Sequence, residues 1–311
     1  MPQIESVAGL EAIVGKKAPA LDMKEVDHIG PASLAGGGTA GFASGVDKTL
    51  RSPRENLDEN ASIQAGAPFG SLWLVPGMNE SLRINGTVKG ISSDSVMIDV
   101  TECYLHCAKA FLRSAFWQAA PGKDAPSEAP DFATAARLMA LGTLDSEGRA
   151  DVSPKGDPAE RLMRFDGERL LFAARPGNRR TDSFRNILVQ PRVAIMALIP
   201  GACNVLHVQG EATLTDDLET RALFEVQDKV PKLAIEVRVT DWSITSSQAL
   251  QSAQLWPAPP PPEDLKPAKI FAEHMRLSKQ KSLSARMAKA AVSVPGLVRR
   301  SLESDYEKNL Y

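Results

Sequence analysis

The chain has 311 residues, of which 43% are hydrophobic and 24% charged, an ordinary composition for a folded protein whose length suggests two domains. Its 36 Lys and Arg face 38 Asp and Glu, a formal net charge of −2, so no global field recruits nucleic acid or an acidic partner and any anion site must be local. Three cysteines, Cys103, Cys107 and Cys203, are too few and too odd in number for a disulfide framework, and no second cysteine pair completes a zinc site; they read as buried thiols, with no metal expected. The N-terminal segment lacks a basic region followed by a long apolar run, and no stretch approaches the ~18 apolar residues of a membrane span, so a cytoplasmic location is expected.

In chain order, a first module is placed at 1–120. It opens with a short helix, then a Gly/Ala/Ser-rich stretch at 30–45 that reads as loop or weak strand. "LVPGMNESLRINGTVKGISSD" at 74–94 reads as strand, Pro-Gly turn and strand. In "HCAKAFLRSAFW" at 106–117, His106, Lys109 and Arg113 follow helical i, i+3, i+7 spacing and are expected on one helix face. A linker at 119–130 leads to a second module at 131–256. There, 137–156 reads as two strands around a "DSEG" turn and 168–175 as a strand. Residues 181–190 read as a helix with Thr181 or Asp182 as N-cap, and 192–201 as a buried strand. Residues 257–311 form a polyproline spacer and a helical tail, carrying nine basic residues and one acidic residue between Lys266 and Arg300. The tail reads as an amphipathic helix docked on the rest, with a lid, a dimer arm or an anionic-surface contact as alternatives.

The two modules repeat each other. Leu74, Pro76, Gly77, Leu82 and Gly86 correspond to Leu198, Pro200, Gly201, Leu206 and Gly210 at a constant offset of 124. "VTECYLHCAKAFLRSAFW" at 100–117 matches "VTDWSITSSQALQSAQLW" at 239–256 at an offset of 139, with the 15 extra residues falling in 217–231, an expected inserted amphipathic helix. At an offset of 124, Arg51, Asp58 and Ile63 fall on Arg175, Asp182 and Ile187. The chain reads as two copies of one β-rich module of short strands, a barrel in each copy.

Two polar clusters carry chemistry. "RPGNRRTDSFRN" at 175–186 gathers Arg175, Arg179, Arg180 and Arg185 around Gly177 and Asn178, before a helix start that offers free N–H groups. Guanidinium forks suit phosphate oxygens, and a solvated arginine turn is the alternative. In "VSPKGD" at 152–157, Ser153 and the backbone beside Gly156 can bond a flat heterocycle and Lys155 can place a cation beside it; a β-turn on Pro154 and Gly156 is the alternative. The second copy has Thr245, Gln248 and Ser252 where the first has His106, Lys109 and Arg113, while the first copy lacks "SPKGD" and most of the arginines. Each copy has kept half of a constellation, as a duplicated homodimer would if its sites lay between subunits.

These motifs resemble the pyridoxamine 5′-phosphate oxidase-like, FMN-binding split β-barrel family, in particular members carrying "SPRGD", "RPGNRR-D", "PG---LR-NG" and "HCAKA--RS-LW" in that order. Here "SPKGD" and "RPGNRRTD" follow the intact forms of the last two, an inversion that the tandem reading resolves. The resemblance covers about 1–256. It implies a mainly β (α+β) fold of two tandem split β-barrels forming an intrachain pseudo-dimer, with a helical C-terminal tail. It implies FMN in the cleft between barrels: Arg175, Asn178, Arg179, Arg180 and Ser183 at the phosphate, Ser153, Lys155 and Gly156 along the ring system, and His106, Lys109 and Arg113 from the other barrel. His106, Lys109 and Lys155 are the candidates for catalytic roles. Lys155 stands where the family has arginine, and one flavin per chain is expected.

The implied function is an FMN-dependent oxidoreductase acting on a small organic molecule, with NAD(P)H or oxygen as redox partner, as a monomeric pseudo-dimer or a homodimer. No GxGxxG follows a strand, so no dedicated dinucleotide domain is expected. The alternatives are a haem protein of the same superfamily, with His106, His207, His28 or His274 as axial ligand, and a non-catalytic flavin carrier.

Overall fold

A computed structural model describes residues 3–7, 10, 13, 44–46, 48–54, 57, 63–177, 180–261, 263, 265–271 and 297–311. Two antiparallel sheets dominate it. The first contains β1 (Ser44–Val46), β2 (Thr49–Pro53), β3 (Pro68–Leu74), β4 (Ser81–Ile91) and β5 (Ser95–His106), in the order β1-β2-β5-β4-β3. The second contains β6 (Leu138–Leu144), β7 (Ala150–Gly156), β8 (Met163–Phe165), β9 (Arg169–Ala173), β10 (Arg192–Leu198), β11 (Asn204–Thr215) and β12 (Ala234–Ser246), in the order β7-β6-β10-β11-β12-β9-β8. Helices are few and short: α1 (Lys109–Ser114), α2 (Ala129–Ala135), α3 (Asp182–Val189), α4 (Leu218–Ala222), α5 (Gln248–Ala253) and α6 (Leu297–Lys308). The fold is mostly β, as expected for the split-barrel class. The short helix and the Gly-rich stretch expected near the N-terminus lie largely outside the described residues, as does most of the basic tail expected between Lys266 and Arg300.

Alternation builds both sheets. On β10, Val193, Ile195 and Ala197 turn into the core while Met196 stays 44% exposed. This corrects the reading of 192–201 as a wholly buried strand: in an antiparallel sheet with one covered face, only every second residue is inside. The inserted helix expected at 217–231 is also shorter. After α4, capped by Asp217 accepting from the Thr220 N–H, a tight turn pairs Val226 with Lys229 and puts Gln227 and Asp228 at positive φ. Left-handed backbone ends a helix. Of the cysteines, Cys103 is buried, but Cys107 and Cys203 are only half-buried.

Corresponding devices recur in the two sheets. The β4–β5 ladder shifts register at Asn85/Gly86, and the β10–β11–β12 sheet does so at Gln209/Gly210 in its β11–β12 ladder. A Cβ on Gly86 would lie 2.1 Å from the Asp99 carbonyl oxygen and one on Gly210 2.3 Å from that of Arg238, so each bulge admits only glycine without backbone movement. α1 and α5 end on left-handed Ala115 and Gln254. β3 and β4 lie against β7, and α1 packs on β6 and β7. A cluster of Phe111, Phe116, Leu138, Leu255 and Trp256 sits between the sheets, with the Trp256 indole N–H donating to the Phe116 carbonyl at 2.8 Å.

Gly86→Ala and Gly210→Ala are each expected to cost about 1–3 kcal/mol by overpacking against backbone. Gly90→Ala, whose new methyl meets only the flexible end of Met97 at 3.3 Å, is expected to stay within about 0.5 kcal/mol. Urea denaturation of the three variants checks this.

Candidate functional site

The end of β5, the start of α1, the end of β7 and the start of α3 converge on a cavity of about 600 Å³. His106, Lys109 and Arg113 line it from the first sheet's side, and Ser153, Lys155, Gly156, Arg175, Arg180 and Ser183 from the second. The expectation that His106 shares a helix with Lys109 and Arg113 is corrected. His106 is the last residue of β5, paired with Ser81, and α1 starts at Lys109. Sheet register rather than helical spacing aims His106 at the cavity. Asn178 and Arg179 lie outside the described residues. Arg185 is not among the lining residues; its Nε donates to the Thr181 hydroxyl at 3.2 Å. Thr181 is the N-cap of α3, without a side-chain capping bond.

Close approach of α1 to β7 sets the width of the cavity. A Cβ on Gly156 would stand 2.0 Å from the Ala110 carbonyl oxygen. With glycine there, Arg113 Nε reaches the Gly156 carbonyl at 2.9 Å and its Nη1 the Pro176 carbonyl at 3.0 Å. Asp157 is buried between two guanidiniums: Arg175 Nε donates to it at 2.6 Å and Arg113 Nε lies 3.7 Å away. Burial raises the Asp157 pKa, against the opposing pull of Arg175 and Arg113. Arg175 Nη2 is buried without a hydrogen-bond partner, a donor that an anion in the cavity could satisfy. In all, eight Lys and Arg side chains line the cavity against three Asp.

A buried polar network backs the site. Arg83 on β4 pairs with Asp151 on β7. Ser183 donates to the same carboxylate at 3.1 Å, and the Arg180 guanidinium stacks 3.8 Å from the centre of the Tyr104 ring. Ser183 was expected at a phosphate; its hydroxyl proton is instead committed to Asp151. Arg83 Nη1 also lies 3.5 Å from His106 Nδ1. Since a guanidinium only donates, His106 Nδ1 accepts and Nε2 carries the proton. Burial, reinforced by Arg83 and Lys155, holds the His106 pKa well below its ordinary value, so the ring is neutral at pH 7.

Residues 125–246 match the family model described as pyridoxamine 5′-phosphate oxidase. Over these residues the chain is similar to that family. The match contains Ser153, Lys155, Gly156, Arg175, Arg180 and Ser183 and stops short of His106, Lys109 and Arg113. Among solved structures, the chain is similar to HupZ of Group A Streptococcus, at 17% identity over 36% of this chain and 86% of that one, with a TM-score of 0.29. It is also similar to a Clostridium acetobutylicum protein related to general stress protein 26, of the pyridoxine phosphate oxidase family, at 10% identity over 36% and 80% of the two chains, TM-score 0.28. A third is HutZ, the haem-storage protein of Vibrio cholerae, at 16% identity over 36% and 86%, TM-score 0.23. No curated protein matches the chain. Among the described residues, no helix is long and apolar enough to cross a membrane.

Within the segment that matches this family model, Lys155 is the group poised to titrate. Its Nζ donates to the Ser153 hydroxyl at 2.8 Å and lies 5.2 Å from the centre of the Phe184 ring. Burial, with Arg83 nearby, lowers its pKa to about 8. Cys107 also lines the cavity, and burial pushes its thiol up, so it stays protonated. Of the other histidines weighed as ligands, His207 does not line the cavity, and His28 and His274 lie outside the described residues.

Several lining residues escaped the motif reading. Arg83 sits inside the quoted "SLRING", a charged residue on the buried face of an apolar strand. Lys229 belongs to the 15 residues at 217–231, and Lys232 directly follows them. Asp305, Asn309 and Tyr311 come from the far end of the chain, with no local signal of a site.

Between pH 8 and the ordinary lysine value of 10.5, the unfolded chain keeps the proton that folded Lys155 has lost. Stability therefore rises with pH in that window. Lysine Cε NMR is expected to show one side chain titrating near pH 8, and Lys155→Met is expected to remove both that titration and its share of the stability slope.

Proposed function

We propose that this protein binds one FMN per chain in the cavity and uses it for redox chemistry on a small organic molecule. The observation that carries the reading is the excess of cations around the cavity of a nearly neutral chain, eight against three, with a buried Arg175 N–H left to donate. The volume, about 600 Å³, falls within the ~300–1,000 Å³ of small-molecule and cofactor sites. Arg175 and Arg180, with Arg179 and Asn178 beside them in sequence, would hold the phosphate by charge-assisted bonds. Ser153, Lys155 and Gly156 would lie along the ring system, with His106, Lys109 and Arg113 on the opposite wall.

When bound, the flavin supplies the electron-transfer chemistry. This chain's residues bind, orient and manage protons. Lys155 Nζ, with a pKa of about 8, holds a proton that can leave or return near neutral pH. Neutral His106 offers its Nε2–H as a fixed donor. The cations favour negative charge in the cavity.

The composite wall fits descent from a tandem duplication. The recurrent bulges and left-handed helix ends support that reading, as does the retention of the phosphate corner in one copy and the His106–Arg113 segment in the other. A first module over 1–120, a second over 131–256 and a tail over 257–311 are the corresponding units.

The test is the visible spectrum of the purified protein, with the released cofactor identified and counted. One FMN per chain is expected. Arg175→Lys should weaken FMN binding about tenfold, or about 1.4 kcal/mol, because it keeps a cation for Asp157 but removes the guanidinium fork. Two FMN per chain would overturn the single composite site, and a haem absorption band in place of flavin would overturn the FMN reading.

A further inference from the structure

Residues 297–311 lie across the cavity and bind the cations of its wall. Asp305 pairs with Lys109 at 2.8 Å. The Leu310 carbonyl accepts from Arg113 Nη1 at 2.8 Å. The Tyr311 ring centre lies 5.9 Å from the Arg113 guanidinium and 5.5 Å from that of Arg175. Further along the rim, Tyr306 accepts from the Ala108 N–H and donates to Glu80, both at 3.2 Å, and Lys229 donates to the Tyr311 main-chain oxygen at 3.1 Å.

This attachment is polar and one-sided. The Lys109 side chain is 3% exposed, whereas Asp305 is 42% exposed. No residue from 300 to 311 is fully buried. A segment held by half-exposed polar contacts, with no fully buried side chain from 300 to 311, opens far more readily than the sheets beneath it. The cavity is nevertheless large with the segment in place, and Asp305, Asn309 and Tyr311 form part of its lining. The segment walls the space without filling it.

We propose that residues 297–311 are a cap that closes the FMN site over its ligand, latched by Asp305 on Lys109 and by the Leu310 carbonyl on Arg113. The proposal rests on the reading of the cavity as the flavin site. It also divides the cations. Lys109 and Arg113 are engaged by the cap, so the ligand's anionic group is left to Arg175 Nη2 and Arg180. Lys109 thus acts through the cap, and Tyr311 is placed to set what fits beneath it.

A cap slows both entry and escape, whereas a segment competing for the cations would slow entry alone. The test is stopped-flow FMN association and dissociation with the full chain, followed by flavin fluorescence. Asp305→Asn is expected to raise both rate constants several-fold. Added NaCl should raise the dissociation rate constant more for the unsubstituted protein than for the variant, because a half-exposed ion pair is screened. Glu307→Gln, exposed on the same helix, should change neither rate. Unchanged rates in Asp305→Asn, or faster association with unchanged dissociation, would overturn the cap. Hydrogen exchange of the ligand-free protein separates the two readings: Asp305→Asn should speed exchange at 298–308 and at the Ala108 amide. If no FMN binds but exchange speeds as expected, the flavin assignment falls and the cap stands; unchanged exchange overturns the cap whatever binds.

Discussion

Asp151 on β7 sits where the two sheets meet, and much of the site depends on how its charge is compensated. It takes Arg83 from β4 and the Ser183 hydroxyl from α3, with the Tyr104 hydroxyl 3.5 Å away. The Arg83 side chain is 2% exposed. Removing one partner from such a pair typically costs about 3–5 kcal/mol, since the other charge is left buried and unpaired. The pair therefore ties β4 to β7 at one relative position, and the two halves of the cavity wall stand on these strands. Asp151 orients Arg83, Arg83 faces His106 Nδ1, and Ser183 and Arg180 stay beside Tyr104. Burial sets the protonation of His106 and Lys155 first, and Arg83 behind the cavity adds to it.

The remaining electrostatics follow from crowding buried cations around one cavity. Burial, with Arg83 nearby, brings Lys155 to about 8 and keeps His106 neutral. The three lining carboxylates offset part of the repulsion: Asp157 lies between Arg113 and Arg175, Asp182 beside Arg180, and Asp305 on Lys109. Two of these sit within the family-matched segment, and the third arrives on the cap. The surplus positive charge is a standing demand for an anion, which a phosphate ester meets with both charge and acceptor geometry.

The linkers also join the two halves. A Cβ on Gly201, in the second Pro-Gly turn, would meet the Ala120 carbonyl at 2.2 Å, and one on Gly77, in the first, the Pro259 carbonyl at the same distance. The segment leaving each helix thus seats on the turn of the opposite sheet. This reciprocal packing leads the polyproline segment over the first half, from which the chain goes on to the tail that returns at α6 to the cavity.

Sequence alone determined what is local or periodic. The Pro-Gly turns, the "DSEG" hairpin, the alternating strands and the α3 helix were legible because each depends on neighbours in the chain. The offsets of 124 and 139 pointed to two halves, and the composition of "SPKGD" and "RPGNRR" pointed to Lys155, Arg175 and Arg180, which the structure gathers on one cavity. His106 was misplaced onto a helix because i, i+3, i+7 spacing is blind to where a strand ends, which β4 pairing decides. The face of β10 left at the surface was likewise unreadable in an apolar run. Only tertiary structure joined Arg83 to Asp151, and brought Asp305 and Tyr311 to Lys109, Arg113 and Arg175. Those contacts span 68 to 198 residues of chain, where no sequence period operates, and burial and charge compensation choose the partner.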